Sequence, residues 1–141
     1  MKAVMYGAGN IGRGFMGQLF SQSGYELTFI DVAETVINSL NSQKRYPVRI
    51  LSGDNSEDIW VEGVSAINGL NKEDAAEAIA SADIMATAVG VRVLPHIAPV
   101  IAVGLKKRFA SNAKPLNIII CENLVDADKI LEGLLSEHLN A

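Results

Sequence analysis

Residues Met1 to Gly14 read MKAVMYGAGNIGRG, and this stretch decides the fold. Lys2 to Tyr6 is small and apolar, suited to a short buried strand, and Gly7-Ala8-Gly9-Asn10-Ile11-Gly12 follows at once. Phe15, Met16, Leu19 and Phe20 then recur at helical spacing. A G-x-G-x-x-G turn between a strand and a helix is the pattern that brings backbone against a dinucleotide pyrophosphate. Its first glycine permits the tight turn, its second lets the pyrophosphate approach, and its third lets the helix pack on the strand. The helix start offers free N–H groups and the positive end of a dipole to the anion. Gly7, Ala8, Gly9, Asn10, Ile11 and Gly12 are therefore candidate cofactor-binding residues. Arg13 stands in the first helical turn, where a cation opposes the dipole by ~0.3–1 kcal/mol unless an anion sits beside it. It is either a phosphate partner or a solvated surface arginine.

Working outward, Glu26 to Ile30 (ELTFI) reads as a second strand that ends at Asp31, 19 residues beyond Gly12. That is close to the ~20 residues at which an acid meets an adenosine ribose. A carboxylate there accepts from ribose hydroxyls and repels a 2′-phosphate. No Arg or Lys follows in Val32-Ala33-Glu34, so NAD is favoured over NADP. The competing reading has Asp31 capping a helix that begins near Ala33.

The totals set bounds. A chain of 141 residues makes one domain, with 49% hydrophobic and 20% charged residues, ordinary for a globular protein. A net charge of −4 with no basic stripe argues against nucleic acid as the partner. No apolar run approaches the ~20 residues of a membrane helix, and the N-terminus lacks the pattern of a signal peptide. Cys121 is the single cysteine, so neither a disulfide framework nor a cysteine-rich metal site is expected. A cytoplasmic protein without a metal is the simplest expectation.

Farther along, Glu34 to Asn41 continues as helix, with Val36, Ile37 and Leu40 at helical spacing. Tyr46 to Leu51 and Ile59 to Ala66 read as strands around a turn-rich Ser52 to Ser56, forming an antiparallel ribbon where a plain third parallel strand would stand. Gly63 is expected to mark a bulge and Trp60 to be a packing residue. Asn71 to Asp74 begins a capped helix ending near Ala82. Asp83 to Val89 and Leu116 to Cys121 are apolar enough to be strands covered on both faces. Between them Leu94 to Phe109 is a helix that Pro99 should kink or delay. Its Lys106, Lys107 and Arg108 are expected on a solvated face, and His96 as a packed helix residue. A last helix from Asp126 presents Ile130, Leu131, Leu134 and Leu135 on one side and frays from His138 to Ala141. The pattern is α/β: a Rossmann-type, doubly wound, mostly parallel sheet in the order 3-2-1-4-5, with an inserted antiparallel ribbon.

In such sheets the ligand lies across the carboxyl ends of the strands. Val89 and Gly90 close one strand and belong beside the dinucleotide, although Gly90 equally suits a plain strand end. Glu122 and Asn123 close the next. An Asn amide there can donate to a carbonyl oxygen that gains charge during hydride transfer, while Glu122 orients it or reaches a ribose hydroxyl; both residues also suit loop capping.

Three segments now carry a resemblance: Gly7 to Phe15, Thr87-Ala88-Val89-Gly90, and Cys121-Glu122-Asn123-Leu124. In this order and spacing they resemble the polyol-specific long-chain dehydrogenases over essentially the whole chain. The resemblance implies a Rossmann domain, residues 1–141, that precedes a mostly helical domain. Gly7 to Gly14 would cradle the NAD pyrophosphate, Asp31 would hold the adenosine ribose, and Asn123 would polarise the substrate oxygen. The partners implied are NAD(H) and a sugar phosphate or polyol phosphate, with fructose 6-phosphate and mannitol 1-phosphate exchanged by hydride transfer. The family's general base is a lysine in Lys-x-x-x-x-Asn-x-x-His, a pattern that leads to neither His96 nor His138. Binding of NAD(H) without turnover is therefore expected of this chain alone. The rivals are a stand-alone redox-sensing module and the cofactor domain of another polyol or uronate dehydrogenase. An uncovered crevice face would also favour a homodimer.

Overall fold

The computed structural model describes residues 1–140. Strands β1 (Lys2–Tyr6), β2 (Glu26–Asp31), β5 (Val64–Asn68), β6 (Ile84–Thr87) and β7 (Asn117–Ile120) form one sheet in the order β5-β2-β1-β6-β7, with every pairing parallel. In chain order this is 3-2-1-4-5, as the sequence pattern implies. The helical crossovers are α1 (Gly17–Gln22), α2 (Glu34–Gln43), α3 (Lys72–Ser81) and α4 (Leu94–Ala110), and α5 (Ala127–Leu139) follows the last strand. Two apolar layers result. One packs Val4, Tyr6, Ile30 and Met85 against α3, α4 and α5. The other packs Met5, Leu27 and Phe29 against Met16, Phe20, Ile37 and Leu40. Alternation along β1 and β2 sends successive side chains to opposite layers, which is why the middles of these short strands are mostly apolar.

The ribbon is present as β3 (Arg45–Ser52) and β4 (Asn55–Glu62), paired antiparallel around Gly53. It does not replace the third parallel strand. The stretch expected as one strand over Ile59 to Ala66 is two, and Gly63, at φ +69°, is the corner between β4 and β5 rather than a bulge. Trp60 is not a core packing residue: it is 48% exposed, with the Arg45 guanidinium over its ring at 4.5 Å.

Other expectations are corrected nearby. Helix α4 starts at Leu94, where Pro95 fits the first turn, so Pro99 does not delay it; the helix continues through Pro99, which lacks the N–H for one intrahelical bond. Lys107 and Arg108 do not form a solvated face. Arg108 is buried and donates to the Lys114 carbonyl at 2.6 Å, the Ala80 carbonyl at 3.0 Å and the Ala82 carbonyl. Lys107 bridges to Glu73 and Glu77 on α3. Strand β7 is an edge strand, partly exposed, rather than covered on both faces. Ile130 is exposed, while Leu131 and Leu135 carry the buried side of α5. That helix holds to Leu139, and Ala141 lies outside the described residues. Among the described residues no helix is long and apolar enough to cross a membrane.

Candidate functional site

The carboxyl end of β1 is held from both sides. Gly7 N–H donates to the Ile30 carbonyl at 2.8 Å, and Ala88 N–H donates to the Tyr6 carbonyl at 2.9 Å. Gly7 lies at φ +108°, and a Cβ there would fall on the Ala88 carbonyl. A Cβ on Gly12 would fall on the Gly7 carbonyl oxygen. These two glycines are compelled by packing. Gly9 differs: nothing stands within 4 Å of where its Cβ would be, so the exposed backbone is open to a ligand. Turn, approach and helix contact thus fall to the first, second and third glycine, as the motif requires. Asn10 and Ile11 are exposed at the start of the helix, and Ala8 is buried beneath it.

Asp31 is committed to backbone. Its Oδ2 accepts from Ala8 N–H at 2.7 Å, and its Oδ1 accepts from Val32 at 2.7 Å and Ala33 at 3.0 Å. The expected helix cap is therefore replaced by a clamp on the glycine loop plus a local turn, since α2 has Ala33 as its cap residue. A carboxylate has about four lone-pair sites, and three N–H groups leave one for a ribose hydroxyl.

The neighbouring strand end has the same construction. Glu122 Oε2 accepts from Val89 N–H and Oε1 from Gly90 N–H, each at 3.0 Å. Glu122 therefore braces the Val89–Gly90 corner, with Gly90 at φ +94° leading into a short 3-10 turn, Val91–Val93. Asn123 follows, exposed, at the same end of the parallel sheet. It does not line the cleft described next.

A cleft of about 490 Å³ opens along these strand ends, with Gly7, Gly9, Asp31, Ala88 and Val89 in its wall. Leu70, Lys72, Val93 and His96 line it too, and sequence reasoning missed them. His96 is exposed there, not packed in its helix. Leu70 and Lys72 were hidden because the third parallel strand, whose end they follow, was merged with the ribbon. The corner Gly63 was the available signal.

The residues present fit a dinucleotide. Gly9 leaves the approach open, and one Asp31 lone pair is free. Among the described residues, the half-buried Arg13 has no carboxylate partner and its Nε is buried without an acceptor. An anion at the start of the helix would supply the missing charge.

Comparison with known proteins agrees. The family model described as the mannitol dehydrogenase Rossmann domain matches residues 1–141. Mannitol-1-phosphate 5-dehydrogenase of Geobacillus thermodenitrificans is 48% identical over 141 residues, covering 99% of this chain and 36% of the relative. The protein of the same name from Shouchella clausii is 50% identical, covering 99% of this chain and 37% of that relative. The chain thus spans little more than a third of the length of the curated relatives it matches. Among solved structures, a Rossmann-fold NAD(P)-binding family protein from Shigella flexneri aligns at TM-score 0.49 and 19% identity, over 82% of this chain and 50% of that one. On the family match and these relatives, the chain belongs to the mannitol dehydrogenase family, as its NAD-binding Rossmann domain.

Proposed function

We propose that residues 1–141 are the N-terminal cofactor domain of a longer oxidoreductase that interconverts mannitol 1-phosphate and fructose 6-phosphate. The observation that carries this reading is the Asp31 clamp, which ties the acid at the end of β2 to the open glycine loop. The likeness over this length to proteins named mannitol-1-phosphate 5-dehydrogenase supports the substrate. Bound NAD supplies the hydride acceptor for polyol oxidation, and NADH the donor in reverse. Gly9 to Gly12 hold its pyrophosphate by backbone N–H groups, those of Gly7 and Ala8 being taken by the Ile30 carbonyl and Asp31, with Arg13 as counter-charge. Asp31 accepts from the adenosine ribose, and Val89 packs beside the cofactor on the corner braced by Glu122. Asn123 donates its amide to the substrate oxygen as that oxygen gains charge. The base that takes the hydroxyl proton is assigned to the rest of the longer protein, so this chain alone binds NAD(H) without turnover.

The test is a fluorescence titration with NADH, repeated with NADPH and with Asp31→Ala. We expect saturable NADH binding, weakened at least tenfold by the substitution, since a hydrogen bond to a charged group contributes about 1.5–3 kcal/mol. NADPH should bind more weakly than NADH. Lys72 in the cleft wall makes this a real comparison, because a cation there would favour a 2′-phosphate. Equal affinity for both would overturn the NAD preference, and no binding at millimolar NADH would overturn the cofactor reading.

A further inference from the structure

One side chain of the inserted ribbon reaches the cofactor helix. Tyr46, on β3, donates from its hydroxyl to the Arg13 carbonyl at 2.7 Å. In a regular α-helix that carbonyl would accept from Gly17 N–H, four residues on. Here Gly17 N–H bonds the Gly12 carbonyl, five residues back, and Gly12–Met16 is a π turn. A Cβ on Gly17 would fall on the Tyr46 hydroxyl, so the missing side chain opens the slot through which the hydroxyl enters. The ring is fixed edge-on against Phe29, with centroids 5.9 Å apart.

We propose that Tyr46 is a positioning residue for the pyrophosphate-binding turn: its hydroxyl replaces Gly17 N–H at the Arg13 carbonyl and so holds the wide turn that sets Gly9 to Arg13. This rests on the reading of the glycine loop as the NAD site. A side chain entering the hydrogen-bond ladder is an established cause of such a distortion, and single π turns concentrate at functional sites. The turn is coupled directly to the open loop, because Arg13 N–H donates to the Gly9 carbonyl at 2.9 Å. Without the hydroxyl, Gly17 N–H can return to the Arg13 carbonyl. The turn then closes to α geometry and re-registers the Gly9 end against the core. Burial keeps the phenol protonated well above its ordinary range, although the nearby Arg13 charge pulls the other way, so the donor persists across neutral pH. The ribbon is thereby a brace for the cofactor loop.

The experiment uses the whole chain and Tyr46→Phe, which keeps the ring and removes the donor. We expect NADH to bind five- to twentyfold more weakly and adenosine, which has no pyrophosphate, to bind as before by NMR titration. The Gly17 amide resonance should move in the absence of any ligand. Gly17→Ala, whose Cβ would meet both the Tyr46 hydroxyl and the Gly12 carbonyl oxygen, should weaken NADH similarly. If wild type binds NADH and Tyr46→Phe binds it within twofold, the positioning role falls while the cofactor reading stands. Equal loss of adenosine and NADH, or loss of the folded circular dichroism spectrum, would make Tyr46 merely structural and overturn the proposal. Failure of wild type to bind NADH would overturn both.

Discussion

At the scale of single residues, two carboxylates at strand ends hold the loops of neighbouring strands. Asp31, closing β2, accepts from the loop after β1, and Glu122, following β7, accepts from the loop after β6. Each satisfies backbone N–H groups that a sharp turn leaves without carbonyl partners. Glu122→Gln tests the second clamp. A glutamine has one acceptor oxygen, and its NH₂ would face one of the two N–H groups, so one donor loses its partner. We expect a loss of about 1–3 kcal/mol in urea unfolding; a change under ~0.5 kcal/mol would show that the clamp contributes little. Both acids stand out in the sequence, because an acid directly after an apolar strand is conspicuous. Their backbone partners were not, since these bonds join residues 23 and 32–33 positions apart. The position of Asp31 at the end of β2 suits a ribose or a helix cap, and its carboxylate serves the glycine loop.

At the scale of elements, the parallel strands and capped helices follow from local pattern. Asn71 accepts from Asp74 N–H and opens α3 as its spacing implies. What local pattern cannot give is where a polar side chain goes once helices pack. Lys106, Lys107 and Arg108 look alike at the end of α4, where cations complement the dipole. Only Lys106 stays on an exposed face, because Gly104 lets α3 approach so closely that a Cβ would meet Ile79 at 2.7 Å. That approach buries Arg108, and its guanidinium satisfies carbonyls at the end of α3 and in the loop after α4. A lysine is a point charge without the planar fork. Arg108→Lys should therefore lose part of this set and destabilise the fold by about 2–4 kcal/mol. Lys106→Ala, the exposed control, should stay within about 0.5 kcal/mol. Equal effects in thermal unfolding would remove Arg108 from the structural account. The ribbon shows the same limit. Its strands were legible from alternation and turn residues, but its contact with Arg13 depends on a gap at Gly17 that no local pattern announces.

At the scale of the molecule, the two apolar layers each carry a tyrosine near the cofactor end of the sheet. Tyr6 belongs to the layer of α3, α4 and α5, and Tyr46 packs against the layer of Phe29 and Met16. Burial pushes the Tyr6 phenol up to about 12 and raises the Tyr46 phenol further. An unfolded tyrosine releases its proton near pH 10, whereas the folded chain retains both protons beyond that. Between pH 10 and 12 the unfolded state therefore binds fewer protons than the folded one, and stability falls as pH rises. For Tyr6 this contribution is fully present below pH 10 and is lost as pH rises through about 12. The chain should thus show a steep alkaline fall in melting temperature above pH 10. Tyr6→Phe and Tyr46→Phe should each flatten it, because each removes one proton that folding retains. The two losses should add, since the side chains belong to opposite layers of the sheet. Melting curves that stay parallel between wild type and both variants from pH 9 to 12 would place the alkaline transition elsewhere. If Tyr46→Phe alone flattened the fall, the ribbon brace would govern alkaline unfolding of the whole domain.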